Sequence, residues 1–229
     1  PVAAFRKFAR AVMGIPDDVD MSTCPGFFAV LEVYLGILVA VYATHLGGDA
    51  VSRETADGTD EFLFVRPLPR GRILAAKLVA AAVYLALFCA LNLAVSYAAF
   101  RGLGLPESPG AGTLGVMLDF TWWLALLGLV FLALGALFAA VCRRPERGAR
   151  AGNLCVLVAY LSGVVQEMFS DREPVATIAR VLSPFRYFLA PDLVSGVFEP
   201  GFVALALGTA AVGLRVAFVR FDSRALVPR

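Results

Sequence analysis

The sequence predicts an all-α, polytopic membrane protein, and three observations carry that expectation. Of its 229 residues, 59% are hydrophobic before any of the 21 glycines is counted, against roughly 45–50% with glycine included in a soluble domain. The mean hydropathy is +0.78. Charged residues make up 17% of the chain and gather in short stretches between apolar runs long enough to cross a bilayer. Segments of alternating polarity, the mark of a transmembrane barrel, are absent from the sequence.

In chain order, Val2 to Ile15 sets apolar residues beside Arg6, Lys7 and Arg10 in a helical pattern, which suits the outer membrane interface. Ser22-Thr23-Cys24-Pro25-Gly26 then supplies cap residues followed by proline, a helix start. Five segments satisfy the demands on a spanning helix: Gly26 to Gly47, Ile73 to Ala99, Leu114 to Cys142, Ala151 to Gln166 and Gly201 to Val219. At about 1.5 Å per residue most of them reach the ~30 Å of a hydrocarbon core, and the fourth is the shortest. Between the last two, residues 167–200 are punctuated by Pro174, Pro184, Pro191 and Pro200. One or two short external helices are expected there, with Phe185, Tyr187 and Phe188 beside Arg186 at headgroup level.

Lysine and arginine set the orientation, because cytoplasmic loops hold the excess. Arg53, Arg66, Arg70, Arg72 and Lys77, then Arg143, Arg144, Arg147 and Arg150, then Arg220 and Arg224 mark one side. That side is expected to be cytoplasmic: residues 48–72, 143–150 and the C-terminal end. The other side takes the N-terminal stretch, the turn GLGLPESPGAG at residues 102–112, and residues 167–200. Since this leaves the visible N-terminus outside, a further span is expected upstream, making six. Pro1 in place of a methionine agrees with that. Leu226, Val227, Pro228 and Arg229 match the left half of a protease site from an expression tag. Residues 1–225 are expected to form one transmembrane domain.

Composition also removes several function classes. Cys24, Cys89, Cys142 and Cys155 show no CxxC spacing, so no disulfide framework and no metal site is expected. The sequence holds one histidine, His45, and no phosphate loop ending in Gly-Lys-Ser or Gly-Lys-Thr. The chain is therefore expected to lack a catalytic site and any cofactor of its own. No nucleic-acid partner is expected; the lipid bilayer is its surroundings.

Ionisable and amide groups at membrane depth are functional candidates by default, since a charge there costs ~2.5–3.5 kcal/mol on insertion scales. Glu32 and Asp119 each lie near the outer end of a span, Glu167 and Glu199 at outer ends, and Asn92 inside one. These five are candidates for a translocation path or an acidic outer vestibule, with interface snorkelling or a structural hydrogen bond as the alternative. Asn92 is expected to bond a neighbouring helix. His45 and the pair Trp122 and Trp123 read as interface residues. Gly128, Gly135 and the stretch from Gly208 to Gly213 permit close helix packing or a dimer seam.

The most informative stretch is GGDAVSRETADGTDEFLFVRPLPRGRILAAKL, residues 47–78. It is similar to the cytoplasmic loop of ABC-2 type exporter permeases through Arg53, Glu54, Gly58, Thr59, Glu61, Phe62, Leu63, Phe64, Pro67, Arg70, Arg72 and Lys77. The stretch Ser183-Pro184-Phe185-Arg186-Tyr187-Phe188 resembles an aromatic segment that the family carries between its last two spans. The resemblance implies a six-span permease in a bacterial or archaeal plasma membrane, paired with a second permease copy or a paralogue. An ATP-binding cassette subunit would hold ATP and Mg and hydrolyse the nucleotide. Residues from Arg53 to Arg70 would couple the two, the apolar run from Phe62 to Val65 acting as knobs for a partner groove. A solvated, positive-inside loop is the plainer reading of the same residues. An ion-driven carrier or a structural membrane component remains the rival class; the absence of an internal repeat weighs against the former.

Overall fold

The structure is a computed structural model that describes residues 24–59, 69–103, 112–142, 144–170, 172–187 and 199–223. The expected interfacial helix at 2–15, most of the turn at 102–112 and the terminal 226–229 lie outside them. The described residues are helical, in the order α1 (Cys24–Asp57), α2 (Arg70–Leu103), α3 (Thr113–Val141), α4 (Pro145–Met168), α5 (Glu173–Leu182), a 3-10 turn (Pro184–Arg186) and α6 (Pro200–Ser223). No strand occurs among them. Five helices, α1 to α4 and α6, are long and apolar enough to cross a membrane.

Each expected span is found, and four of them run further than their apolar stretch. α1 continues ten residues beyond Gly47, and its 34 residues cover about 51 Å at 1.5 Å each. The paired glycines Gly47 and Gly48 do not stop it, and at Gly47 the neighbouring helix α3 fills the space that a side chain would take. α2 also has 34 residues, and α4 begins at Pro145, where a missing N–H costs nothing because the first turn has no partner for it. With 24 residues, α4 reaches about 36 Å and clears the hydrocarbon core.

α3 is the axis of the bundle. Its buried residues fall on every side, among them Phe120, Leu124, Phe131, Leu132 and Ala136, and it packs against α1, α2, α4 and α6. Its tightest crossing is with α1. A Cβ on Gly135 would overlap the carbonyl oxygen of Thr44, and one on Gly47 would overlap that of Leu132. Glycine is required at both because the two backbones touch, which is how helices gain dispersion contacts where lipid removes the hydrophobic drive between them. Further along, Phe28 meets Phe120 edge to face at 5.7 Å, and the ring of Trp123 packs over Gly36. Trp123 is thus buried, whereas Trp122 is 55% exposed. Only Trp122 fits the interfacial position expected of the pair.

Candidate functional site

The loop-bearing end of the bundle is built by the last turns of α1 and the first of α2. Gly58 stops α1: its φ of 68° lies in the left-handed region, and the Thr59 N–H donates to the Glu54 carbonyl at 2.9 Å, a Schellman closure. Two residues of the Arg-Glu-to-Gly-Thr pattern therefore have a structural role as a helix terminator. Arg53 and Asp57, one turn apart, approach to 3.8 Å on the exposed face. Glu54, the next residue along, forms an ion pair with Lys77 of α2, both side chains about three-quarters covered. Asp222, near the end of α6, lies 3.7 Å from where a Gly71 side chain would begin, placing its acid beside the positive end of α2. The ends of α1, α2 and α6 thus meet around the base of the loop. Arg70 opens α2. Glu61, Phe62, Leu63, Phe64 and Pro67 lie outside the described residues.

The intramembrane candidates fall into two groups. Glu32 is completely buried, and its Oε1 accepts a hydrogen bond from Asn92 Nδ2 at 3.0 Å. This is the cross-helix bond expected of Asn92, and it joins α1 to α2. Glu32 Oε2 and Trp123 Nε1 have no hydrogen-bond partner among the described residues. Asp119 is half-buried on α3, whereas Glu167 and Glu199 lie at the far ends of α4 and α6. Among the described residues, no hydrogen bond or ion pair joins Glu32 or Asn92 to these three.

The family described as ABC-2 family transporter protein matches this chain over residues 4–226. The chain belongs to that family. No match is found among curated proteins. The protein is accordingly a multi-pass membrane permease of the ABC-2 transporter family.

At the end of the permease away from its loop, Glu167 and Glu199 anchor a returning hairpin. α5 packs along α4, and Ser183, fully buried, donates from Oγ to the Ala159 carbonyl at 2.7 Å. Ala159 is nine residues short of the end of α4, so the tip of the hairpin returns about 13 Å along that helix. Gly163 makes room for it, since a Cβ there would lie 2.9 Å from Ser183 Oγ. Phe185 stacks on Phe131 of α3 at 5.3 Å and on Tyr160 of α4 at 6.1 Å. Arg186 pairs with Glu167 at 2.8 Å. Arg180 reaches the Arg186 carbonyl at 3.1 Å, Glu199 at 3.3 Å and the face of Phe202 at 4.0 Å. The short helix expected between the last two spans is present, but its tip is tucked into the bundle because Phe185 finds an aromatic socket there. Sequence position and the prolines showed the break in the chain; nothing in the local pattern showed the socket.

The Ser183 bond gives a direct check. Ser183→Ala should lower the thermal midpoint of the permease in detergent by about 2–4 °C, the equivalent of ~1 kcal/mol for a buried neutral hydrogen bond. A midpoint within a few tenths of a degree of the parent would show that the tip is not held there.

Proposed function

We propose that this permease is the membrane subunit of an exporter. It moves substrate outward across the plasma membrane with ATP, bound with Mg, hydrolysed by a separate ATP-binding cassette subunit, and a second permease copy or a paralogue completes the path. The observation that carries the reading is the joint at the base of residues 58–69. α1 projects beyond the bilayer thickness, is stopped by Gly58, and is tied to α2 through Glu54 and Lys77. A push on the loop therefore reaches two spanning helices, and through the Gly47 and Gly135 crossing the central one as well. The arginine-rich flanks support a cytoplasmic place for this joint. In this reading Arg53, Glu54, Gly58, Thr59 and Arg70 form its base, and Glu61, Phe62, Leu63, Phe64 and Pro67 its contact with the ATP-binding subunit. Glu32, Asn92, Asp119, Glu167 and Glu199 are the polar groups nearest a route between permease copies. An ion-driven carrier would need its intramembrane acids to face His45. Glu32 and His45 are both on α1, about 20 Å apart along its axis.

The test is transport by the permease reconstituted with its ATP-binding partner. Glu54→Ala, which strands Lys77, and Phe64→Asp should each cut ATP-driven transport by about tenfold, in the usual range of coupling energies, while membrane insertion and basal ATP hydrolysis persist. Undiminished transport in both variants would remove the joint from the mechanism. Transport that persists without ATP under an ion gradient would remove the exporter reading altogether.

A further inference from the structure

One face of α1 breaks the apolar rule of the spans. Thr44, His45, Asp49 and Ser52 line a small crevice together with Asn153 of α4. Their spacing along α1 puts them on one stripe of the helix. The wall behind them includes Gly135 of α3 and Gly148 of α4. The crevice encloses about 30 Å³, enough for one water-sized group. His45, Asp49 and Asn153 are exposed at its mouth. Asp49 precedes Glu54 by five residues, so the mouth lies about 7.5 Å inward from the Glu54 and Lys77 joint.

The lining holds one acid and several acceptor oxygens. Thr44 Oγ1 donates to the Ala40 carbonyl at 2.7 Å and Ser52 Oγ to the Gly48 carbonyl at 2.9 Å. With its proton so committed, each hydroxyl has only lone pairs left to offer. The Asp49 carboxylate is a pure acceptor, whereas the Asn153 amide offers an oxygen and two N–H donors and the His45 ring at least one N–H. Arg53, the next cation along α1, pairs with Asp57 instead. Among the described residues, the side chains of Asp49 and Asn153 have no hydrogen-bond or ion-pair partner. A crevice of this size with a carboxylate at its mouth admits a compact cation, and one that carries donors can also use the acceptor oxygens of Thr44, Ser52 and Asn153. A primary ammonium, with three N–H groups and the bulk of a water molecule, meets both conditions. A quaternary ammonium has no donor and is too large to enter.

We propose that the crevice binds the primary ammonium group of an amphiphile presented from the loop side of the membrane. The occupant is either a substrate to be moved or a resident lipid headgroup. Only its role as a loading site for export rests on the function proposed above; the binding itself does not.

Binding is read directly, without ATP hydrolysis, on the permease in nanodiscs of phosphatidylcholine and phosphatidylglycerol, by the side-chain NMR signals of His45, assigned through their loss in His45→Asn. Octylamine should shift these signals saturably, whereas octyltrimethylammonium and potassium should not. Asp49→Asn and Asn153→Leu, each checked for an unchanged elution profile, should weaken the octylamine response, Asp49→Asn by about tenfold, as loss of a charge-assisted hydrogen bond requires. A shift already present in discs containing phosphatidylethanolamine, and reduced by Asp49→Asn, identifies the lipid as the occupant. Equal shifts from the primary and quaternary amines, saturation by potassium, or an undiminished response in both variants would overturn the proposal. If the amine binds but fails to stimulate the ATP-binding partner, the crevice stands and its role in export falls.

Discussion

Gly135→Leu should cost the permease about 3 kcal/mol or more, the upper range for overpacking. The reason is that the obstacle is backbone. A Cβ at this position overlaps the Thr44 carbonyl, and the reciprocal Gly47 faces the Leu132 carbonyl and the Ala136 nitrogen. No rotamer change relieves such an overlap, so α1 and α3 must move apart along a crossing that orders the whole bundle. Gly208 is the control, because a Cβ there meets nothing within 4 Å. Gly208→Leu should leave stability within about 0.5 kcal/mol, as surface changes do. Resistance to denaturation in mixed micelles, with size-exclusion profiles, distinguishes the two. Equal behaviour of the variants would mean that α1 and α3 are not in backbone contact.

The second large effect concerns Glu32 and Asn92, and its diagnostic is a recovery. Asn92→Leu removes the donor to a carboxyl group that is wholly buried, leaving it without a described hydrogen-bond partner on either oxygen. Breaking a buried pair from one side costs about 3–5 kcal/mol where a charge is stranded and ~1–3 kcal/mol where a neutral group is. Replacing both members by apolar residues of similar size is close to neutral. Glu32→Leu combined with Asn92→Leu should therefore be more stable than Asn92→Leu alone, a coupling that a double-mutant cycle in micelles measures. Simple addition of the two losses would show that the residues act apart. The same double variant bears on transport: if Glu32 and Asn92 only join α1 to α2, ATP-driven transport survives their joint replacement.

Much of this was legible in the sequence. Hydropathy located the five spans, and Asn92 inside an apolar run called for a partner on another helix. The partner itself, Glu32, read as a candidate for an outer vestibule or a structural hydrogen bond, because its position along α1 was known and its direction around α1 was not. Gly47 and Gly48 looked like the end of a helix for the same reason. In isolation adjacent glycines weaken a helix; against α3, Gly47 is what lets it pass. Phe185 suited the headgroup zone by composition, and only the socket formed by Phe131 and Tyr160 draws it inward. His45 and Asp49 were scattered polar residues until Asn153 and two glycines from other helices closed a crevice around them.

By itself, then, the sequence determined the class of the molecule, the number of visible spans, the family resemblance of the loop and the charge pattern that orients it. These depend on sums along the chain: apolar length against bilayer thickness, and arginines counted at helix ends. Which face of each helix meets protein was decided only by the tertiary structure. A soluble helix advertises its inner face by being apolar on one side, but here lipid is as apolar as the bundle interior, so both faces read alike. Close approach at glycine, a hydrogen bond between buried polar groups and the fit of one aromatic ring among others make the choice, and each involves residues far apart in the chain.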